Sequence, residues 1–319
     1  MSHYVSHPDG GSIGLRLALQ AMGTRFELVL ANDRDEHELR SAGESALEVI
    51  RDWHDRLSIF DRGSLVSRIN REAHEKPVRI DRDMLDLFSA CERWRAMTDG
   101  AFDIAVGSLM EHFGFRDTGA TENVPPFGMD LVEIDADAMT VRFTEPGVKL
   151  DFGAVAKGWA IDRALDVLRE EGVTSALLHG GTSTVGVIGS DRDGEPWRVR
   201  IEDDEHAPVA LLRDASLSVS APSGRLNERQ EGHVIDPREG KPSAGARLAA
   251  VIAVYSAETD ALSTALVVLG ERPGSIPGDV VSILPAQGST PGGWAAAGDA
   301  AGRVIVSDSG SDQEGQHAS

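Results

Sequence analysis

Hydrophobic and polar positions along the chain follow two rhythms: short runs of period two and longer stretches of helical spacing. In SIGLRLALQAMGTRFELVLA, two alternating or apolar runs flank Ala21-Met22-Gly23-Thr24, which predicts strand, turn or bulge, strand. From Asp35 the apolar positions Leu39, Ala42, Ala46, Val49, Ile50, Trp53 and Leu57 keep helical spacing behind an acidic first turn. A second helix is expected from Asp83 to Thr98, stopping at Gly100, and a short one starting at Ser64 within the loop LSIFDRGSLVSRIN. Residues 131–152 read as two or three short strands, the last being VKLDF, with turns at Asp135-Ala136-Asp137 and Pro146-Gly147. The stretch Val155 to Glu171 is expected to be a helix that buries Val155, Trp159, Leu165 and Leu168 and ends at Gly172. Strands follow at Ser175 to His179, TVGVIG, WRVRIE, Val209 to Leu212 and SLSVSA, before the glycine-punctuated loop SGRLNERQEGHVIDPREGKP. Strand LAAVIAVYS leads into a helix from Glu258 to Leu269, and VVSIL and RVIVS close the pattern.

Strands outnumber helices and come in consecutive runs, which predicts an α+β fold: a largely antiparallel sheet core with packed helices, not a doubly wound parallel sheet. No internal repeat and no clean linker interrupt the pattern. It reads as one compact domain over residues 13–308, between a flexible N-terminus (1–12) and a disordered polar tail (309–319).

Composition narrows the partners. The 31 basic and 52 acidic residues give a formal charge of −21, which repels nucleic acid and anionic lipid in the absence of a local basic patch. A hydrophobic content of 41% is ample for a buried core. Apolar windows such as LSTALVVLG are about half the roughly 20 residues of a membrane span. The start MSHYVSHPDG lacks the charged-then-apolar layout of a signal peptide, so a cytoplasmic chain is expected, or an exported one whose leader has been removed. Cys91 lies on the apolar stripe Met84, Leu87, Phe88, Cys91, Trp94 and reads as a core thiol.

Three segments could carry chemistry. DFGAVAKGWAID places Asp151, a turn of small residues and Lys157 at a helix start, where outward amides favour anions and a turn carbonyl can face a metal. The parts suit a phosphate-bearing ligand with a divalent cation, or a capped helix with a solvated lysine. In ETDALSTALVVLG, Asp260 and Thr264 share one helix face opposite Leu262, Leu266 and Leu269. That face offers hard-cation oxygens, or it is a polar face turned to water. In GHVIDPREGKP, His233 could serve as a general acid or base, or be an exposed loop histidine, with Asp236 close by. Around small residues, TDGAFDIAVGSL presents Asp99, Phe102 and Asp103, and FDRGSLVSRIN presents Phe60 and Ser64. A kinase is excluded by the missing HRD and Gly-rich loops, a serine hydrolase by the missing GxSxG, and zinc by the missing HExxH and paired cysteines.

Taken in order, AMGTRFELVL, FDRGSLVSRIN, DGAFDIAVGSLMEHFGF, LDFGAVAKGWAIDRALDVL, GVTSALLHGGTSTVGVIG, SAPSGR, HVIDPREGKP and ETDALSTALVVLG resemble the ApbE family of FAD:protein FMN transferases. The resemblance runs from about Ala21 to Gly270 and implies an ApbE-like, T-fold-like α+β domain. It implies magnesium-dependent transfer of the FMN moiety of FAD to a serine or threonine hydroxyl of an acceptor flavoprotein, with release of AMP. Contacts to FAD would come from Met22, Phe60, Ala101, Phe102, Asp103, Asp151, Lys157 and Ile235. Magnesium would be held by the Ala154 carbonyl and the side chains of Asp260 and Thr264, and His233 would assist proton transfer. Lys157 would offset charge as AMP leaves, or hold Asp151. Where many relatives have a GGD-type turn this chain has Gly180-Gly181-Thr182, and where they have tyrosine it has Trp159. Two other activities would use the same residues: a magnesium-dependent FAD pyrophosphatase releasing FMN and AMP, and a flavin-binding or delivery protein without turnover.

Overall fold

The computed structural model describes residues 3–4, 14–31, 35–116, 123–224, 226–227, 229–286, 293–299 and 303–305. Six helices are set among strands: α1 (Glu36–Leu57), α2 (Leu65–Glu72), α3 (Arg82–Met97), α4 (Gly107–His112), α5 (Ala156–Glu170) and α6 (Ser256–Leu269). The tail at 309–319 lies outside the described residues, as does most of 1–12, where His3–Tyr4 form a short strand against Trp197–Arg200.

The centre is an eight-stranded sheet built from Leu15–Ala21, Thr24–Leu30, Ala176–Gly180, Thr184–Ile188, Ser216–Ser220, Ala249–Ala253, Val281–Pro285 and Trp294–Ala297. These strands lie side by side in chain order and every pairing is antiparallel. One face carries α1, α5 and α6 over a core that includes Phe26, Leu28, Leu178 and Val251. The opposite face buries Val29, Leu177, Val185 and Ile252 against a second sheet containing Trp197–Arg200 and Val209–Leu212. Alternate side chains thus enter two different cores, so the inner strands read as apolar runs rather than as clean alternation. The result is the expected α+β fold with an antiparallel sheet and packed helices. No helix among the described residues is long and apolar enough to cross a membrane.

Local signals set most boundaries. Asp35, Ser64 and Asp81 cap α1, α2 and α3 by accepting amides of the first turn. Ala21 pairs with Thr24 across a two-residue turn in which Met22 and Gly23 both have positive φ, 50° and 71°. This is the mirror-image turn that suits the twist of a hairpin. VKLDF departs from expectation: it belongs to no strand. Asn70 brackets Leu150 in place of a neighbouring strand, donating from Nδ2 to its carbonyl at 3.0 Å and accepting its amide at 2.7 Å. Helix α6 starts at Ser256, two residues before the expected Glu258.

Candidate active site

The early start of α6 has its cause in α5. Tyr255 offers no side-chain cap, and the free amides are taken instead by Asp162, whose Oδ1 accepts from Ser256 at 2.7 Å and Oδ2 from Ala257 at 2.9 Å. Burial pushes the Asp162 carboxyl up from 3.8 to about 6, outweighing those bonds and the pull of Arg163. Because the folded value exceeds the unfolded one, the group's stabilisation is complete below pH 3.8 and is lost as pH rises through about 6. Wild type is therefore expected to lose about 3 kcal/mol relative to Asp162→Asn between about pH 4 and pH 7, measured by urea denaturation.

Helix α6 carries Asp260, and its polar face does not meet water. Asp260 is 3% exposed, and Ser256, Thr259 and Ser263 are buried with it. Facing them, Ser216, Ser218 and Ser220 occupy alternate positions of one strand, so all three hydroxyls point to one side. Ser216 bonds Ser256 at 2.8 Å, Ser218 donates to Asp260 Oδ1 at 3.1 Å, and Ser220 reaches Ser263 at 2.9 Å and Thr264 at 3.2 Å. Thr184 adds a second donor to Asp260 Oδ1 at 3.1 Å. The hydroxyl row on the sheet thus matches the polar stripe of the helix. Hydrogen bonds replace the water that a buried carboxylate would otherwise need.

Helix α5 closes the other side. Oδ2 of Asp260 accepts the Gly158 amide at 3.1 Å and stands 3.5 Å from Lys157 Nζ. A Cβ on Gly158 would sit 2.2 Å from the Ser256 carbonyl oxygen, so only glycine permits this approach of α5 to the start of α6. Gly158 is the third residue of α5, so its amide has no partner within the helix and Asp260 supplies one. Thr264 donates to the Asp260 carbonyl at 3.1 Å, which keeps its hydroxyl oxygen on the same side of α6. The Asp260 carboxylate and the Thr264 hydroxyl are hard oxygen donors of the type magnesium takes. Among the described residues no cluster of three or more His, Cys, Asp or Glu offers an alternative metal site.

Asp151 and Lys157, grouped together in the sequence, have different partners. Lys157 pairs with Asp260, whereas Asp151 is held by Arg116, through Nε at 3.2 Å and Nη2 at 2.5 Å to Oδ2, and its Oδ1 accepts the Gly153 amide at 2.8 Å. The Arg116 guanidinium also lies 5.7 Å from the ring centre of Phe60, which is 69% exposed. Phe60 and Arg116 border a cavity of about 280 Å³ that Arg62, Arg71, Lys149 and Glu111 also line. Arg116 directly follows the motif DGAFDIAVGSLMEHFGF, which ends at Phe115, and nothing in its spacing pointed to Asp151.

The remaining candidates are placed as follows. Ala101 and Phe102 are core residues, each 1% exposed, with Phe102 edge-on to Trp94. Asp103 ties three segments together, accepting from Ala105, Arg95 and Met129. Met22 has its amide bound by His54 Nδ1 of α1 at 3.1 Å, which anchors a left-handed turn residue. Ile235 packs with Leu109, Met110 and Phe115, directly beneath the residue that bears the Asp151 partner. His233 Nδ1 faces the Pro222 carbonyl at 3.3 Å; a carbonyl only accepts, so this nitrogen carries the hydrogen and Nε2 is the basic one. Burial raises the Asp236 carboxyl, but its two-pronged pairing with Arg238 more than reverses this and holds it below the usual range, which makes it a poor base.

Comparison with known proteins places the chain in a family. The model of the ApbE family matches residues 22–275. A FAD:protein FMN transferase of Vibrio cholerae is 24% identical over 279 residues, which cover 82% of this chain and 83% of the relative. One from Rhodobacter capsulatus is 31% identical over 238 residues, covering 70% of this chain and 44% of the relative. The crystal structure of the ApbE protein of Thermotoga maritima superimposes with a TM-score of 0.77 at 26% identity, covering 89% of this chain and 97% of the other.

Proposed function

The chain belongs to the ApbE family, and from that premise we propose that it is a FAD:protein FMN transferase whose reaction is organised around Asp260. It would transfer FMN from FAD to a serine or threonine hydroxyl of an acceptor flavoprotein and release AMP. The acceptor oxygen forms a bond to the FMN phosphorus, the bond from that phosphorus to the AMP oxygen breaks, and the hydroxyl proton leaves to a base. Phosphoryl transfer of this kind depends on positioning and charge stabilisation more than on covalent chemistry.

The observation that carries this reading is the buried Asp260 at the α5–α6 junction, held by Thr184, Ser218 and the Gly158 amide, with the Thr264 hydroxyl bonded to its carbonyl. Ala154, Asp260 and Thr264 would hold magnesium, which when bound supplies charge neutralisation at the FAD pyrophosphate. Lys157 adds a cation beside Asp260 that can meet charge developing on the departing AMP. Phe60, Asp151, Met22 and Ile235 would hold the rest of FAD, with Ala101, Phe102 and Asp103 as the buried frame behind it. His233, through Nε2, would accept the acceptor's proton.

Incubating the protein with FAD and magnesium, with and without an acceptor flavoprotein subunit, tests the assignment. Mass spectrometry is expected to find FMN added to the acceptor, with AMP released in step. Free FMN and AMP in both reactions would mark a pyrophosphatase, and intact FAD bound to the protein would mark a delivery protein.

A further inference from the structure

Arg116 is bound to two of the residues given to FAD, yet neither the family match nor the sequence motifs assign it a role. The adjoining Phe115 is buried with Leu109, Met110 and Ile235, so the backbone at Arg116 is anchored. From there two guanidinium nitrogens converge on a single oxygen, Oδ2 of Asp151, while the amide of Gly153 holds Oδ1. The carboxylate side chain is 7% exposed and that of Arg116 15%. Deprived of this cation, Asp151 would be a nearly buried charge with one amide bond, and would turn outward. The same guanidinium lies within cation–π range of Phe60, a ring that is otherwise largely in solvent. Lysine could not do both, because only a planar fork offers two converging donors and a flat face.

We propose that Arg116 is a positioning residue of the flavin site: it fixes the Asp151 carboxylate and the Phe60 ring in one arrangement, and thereby sets FAD affinity without taking part in transfer. Pre-organisation of this kind strengthens binding by removing the ordering cost at the moment of association. The proposal rests on the reading that Phe60 and Asp151 contact FAD.

Titration of FAD into the purified protein, followed by flavin fluorescence, separates the two. Arg116→Met is expected to raise Kd on the order of tenfold, with Arg116→Lys in between. In transfer assays KM for FAD rises while kcat changes by less than about twofold. Added to a Phe60→Ala, Asp151→Asn double variant, Arg116→Met should weaken binding no further, because the arginine acts through those two side chains. Additive losses in this cycle would overturn the proposal. Wild-type affinity in Arg116→Met, alongside weakened binding in Phe60→Ala or Asp151→Asn, would overturn it while sparing the flavin site. Wild-type affinity in all three single variants would overturn both. Should Arg116→Met fail to fold, Arg116→Lys decides: weakened binding that the Phe60→Ala, Asp151→Asn background masks supports the proposal, and wild-type binding overturns it.

Discussion

Asp260→Asn is expected to lower the rate of FMN transfer on the order of 10³-fold while leaving the fold intact. The amide keeps the shape of the carboxylate and one oxygen, so it can still accept from Thr184 and Ser218. Its NH2 group, however, now faces the Gly158 amide and Lys157 Nζ, donors that the carboxylate satisfied. What is lost is the one negative charge among three oxygen donors, and with it most of the attraction for a divalent cation. Asp260→Ala would remove the same charge but also strand two buried hydroxyls and a lysine, mixing a stability defect into the result. Circular dichroism and steady-state transfer assays on the Asn variant read the two effects separately.

Gly158→Ala is expected to damage both stability and activity. The added carbon would lie 2.2 Å from the Ser256 carbonyl oxygen, 2.5 Å from its carbon and 2.7 Å from the Ala257 Cα. All three are backbone atoms at the start of α6, pinned by Asp162, so no side chain can swing aside. Alanine is the better helix former by about 1 kcal/mol, but overpacking of this severity costs about 3 kcal/mol, so a net loss near 2 kcal/mol is expected in urea denaturation. Prising α5 from α6 also withdraws the Gly158 amide from Asp260. Transfer should therefore fall further than the stability loss alone explains.

Much of this architecture was legible in the sequence, and the unreadable parts share one property. Asp35, Ser64 and Asp81 cap helices a few residues away, and the Met22-Gly23 turn closes a local hairpin, so local spacing was enough to place them. The start of α6 is set from Asp162, 94 residues distant from Ser256, and was placed too late. The serines of SLSVSA were visible as alternating strand positions, but a lone strand does not say what it faces. Here it faces α6, which converts an apparently water-facing stripe into a buried network. VKLDF has the composition of a strand, but its backbone is bonded by the Asn70 side chain and by the loop at Ile104 and Gly107, not by a neighbouring strand. The site residues came from ordered motifs, whereas their partners Arg116, Thr184, Ser218 and His54 are joined to them only by the fold.

If Asp260 links magnesium to FAD, each ligand changes the affinity for the other through this one carboxylate. The most direct measurement is the dissociation constant of FAD with and without magnesium, for wild type and for Asp260→Asn. Magnesium is expected to tighten FAD binding to wild type by at least about tenfold and to leave the variant nearly unchanged. Equal tightening in both proteins would contradict the account.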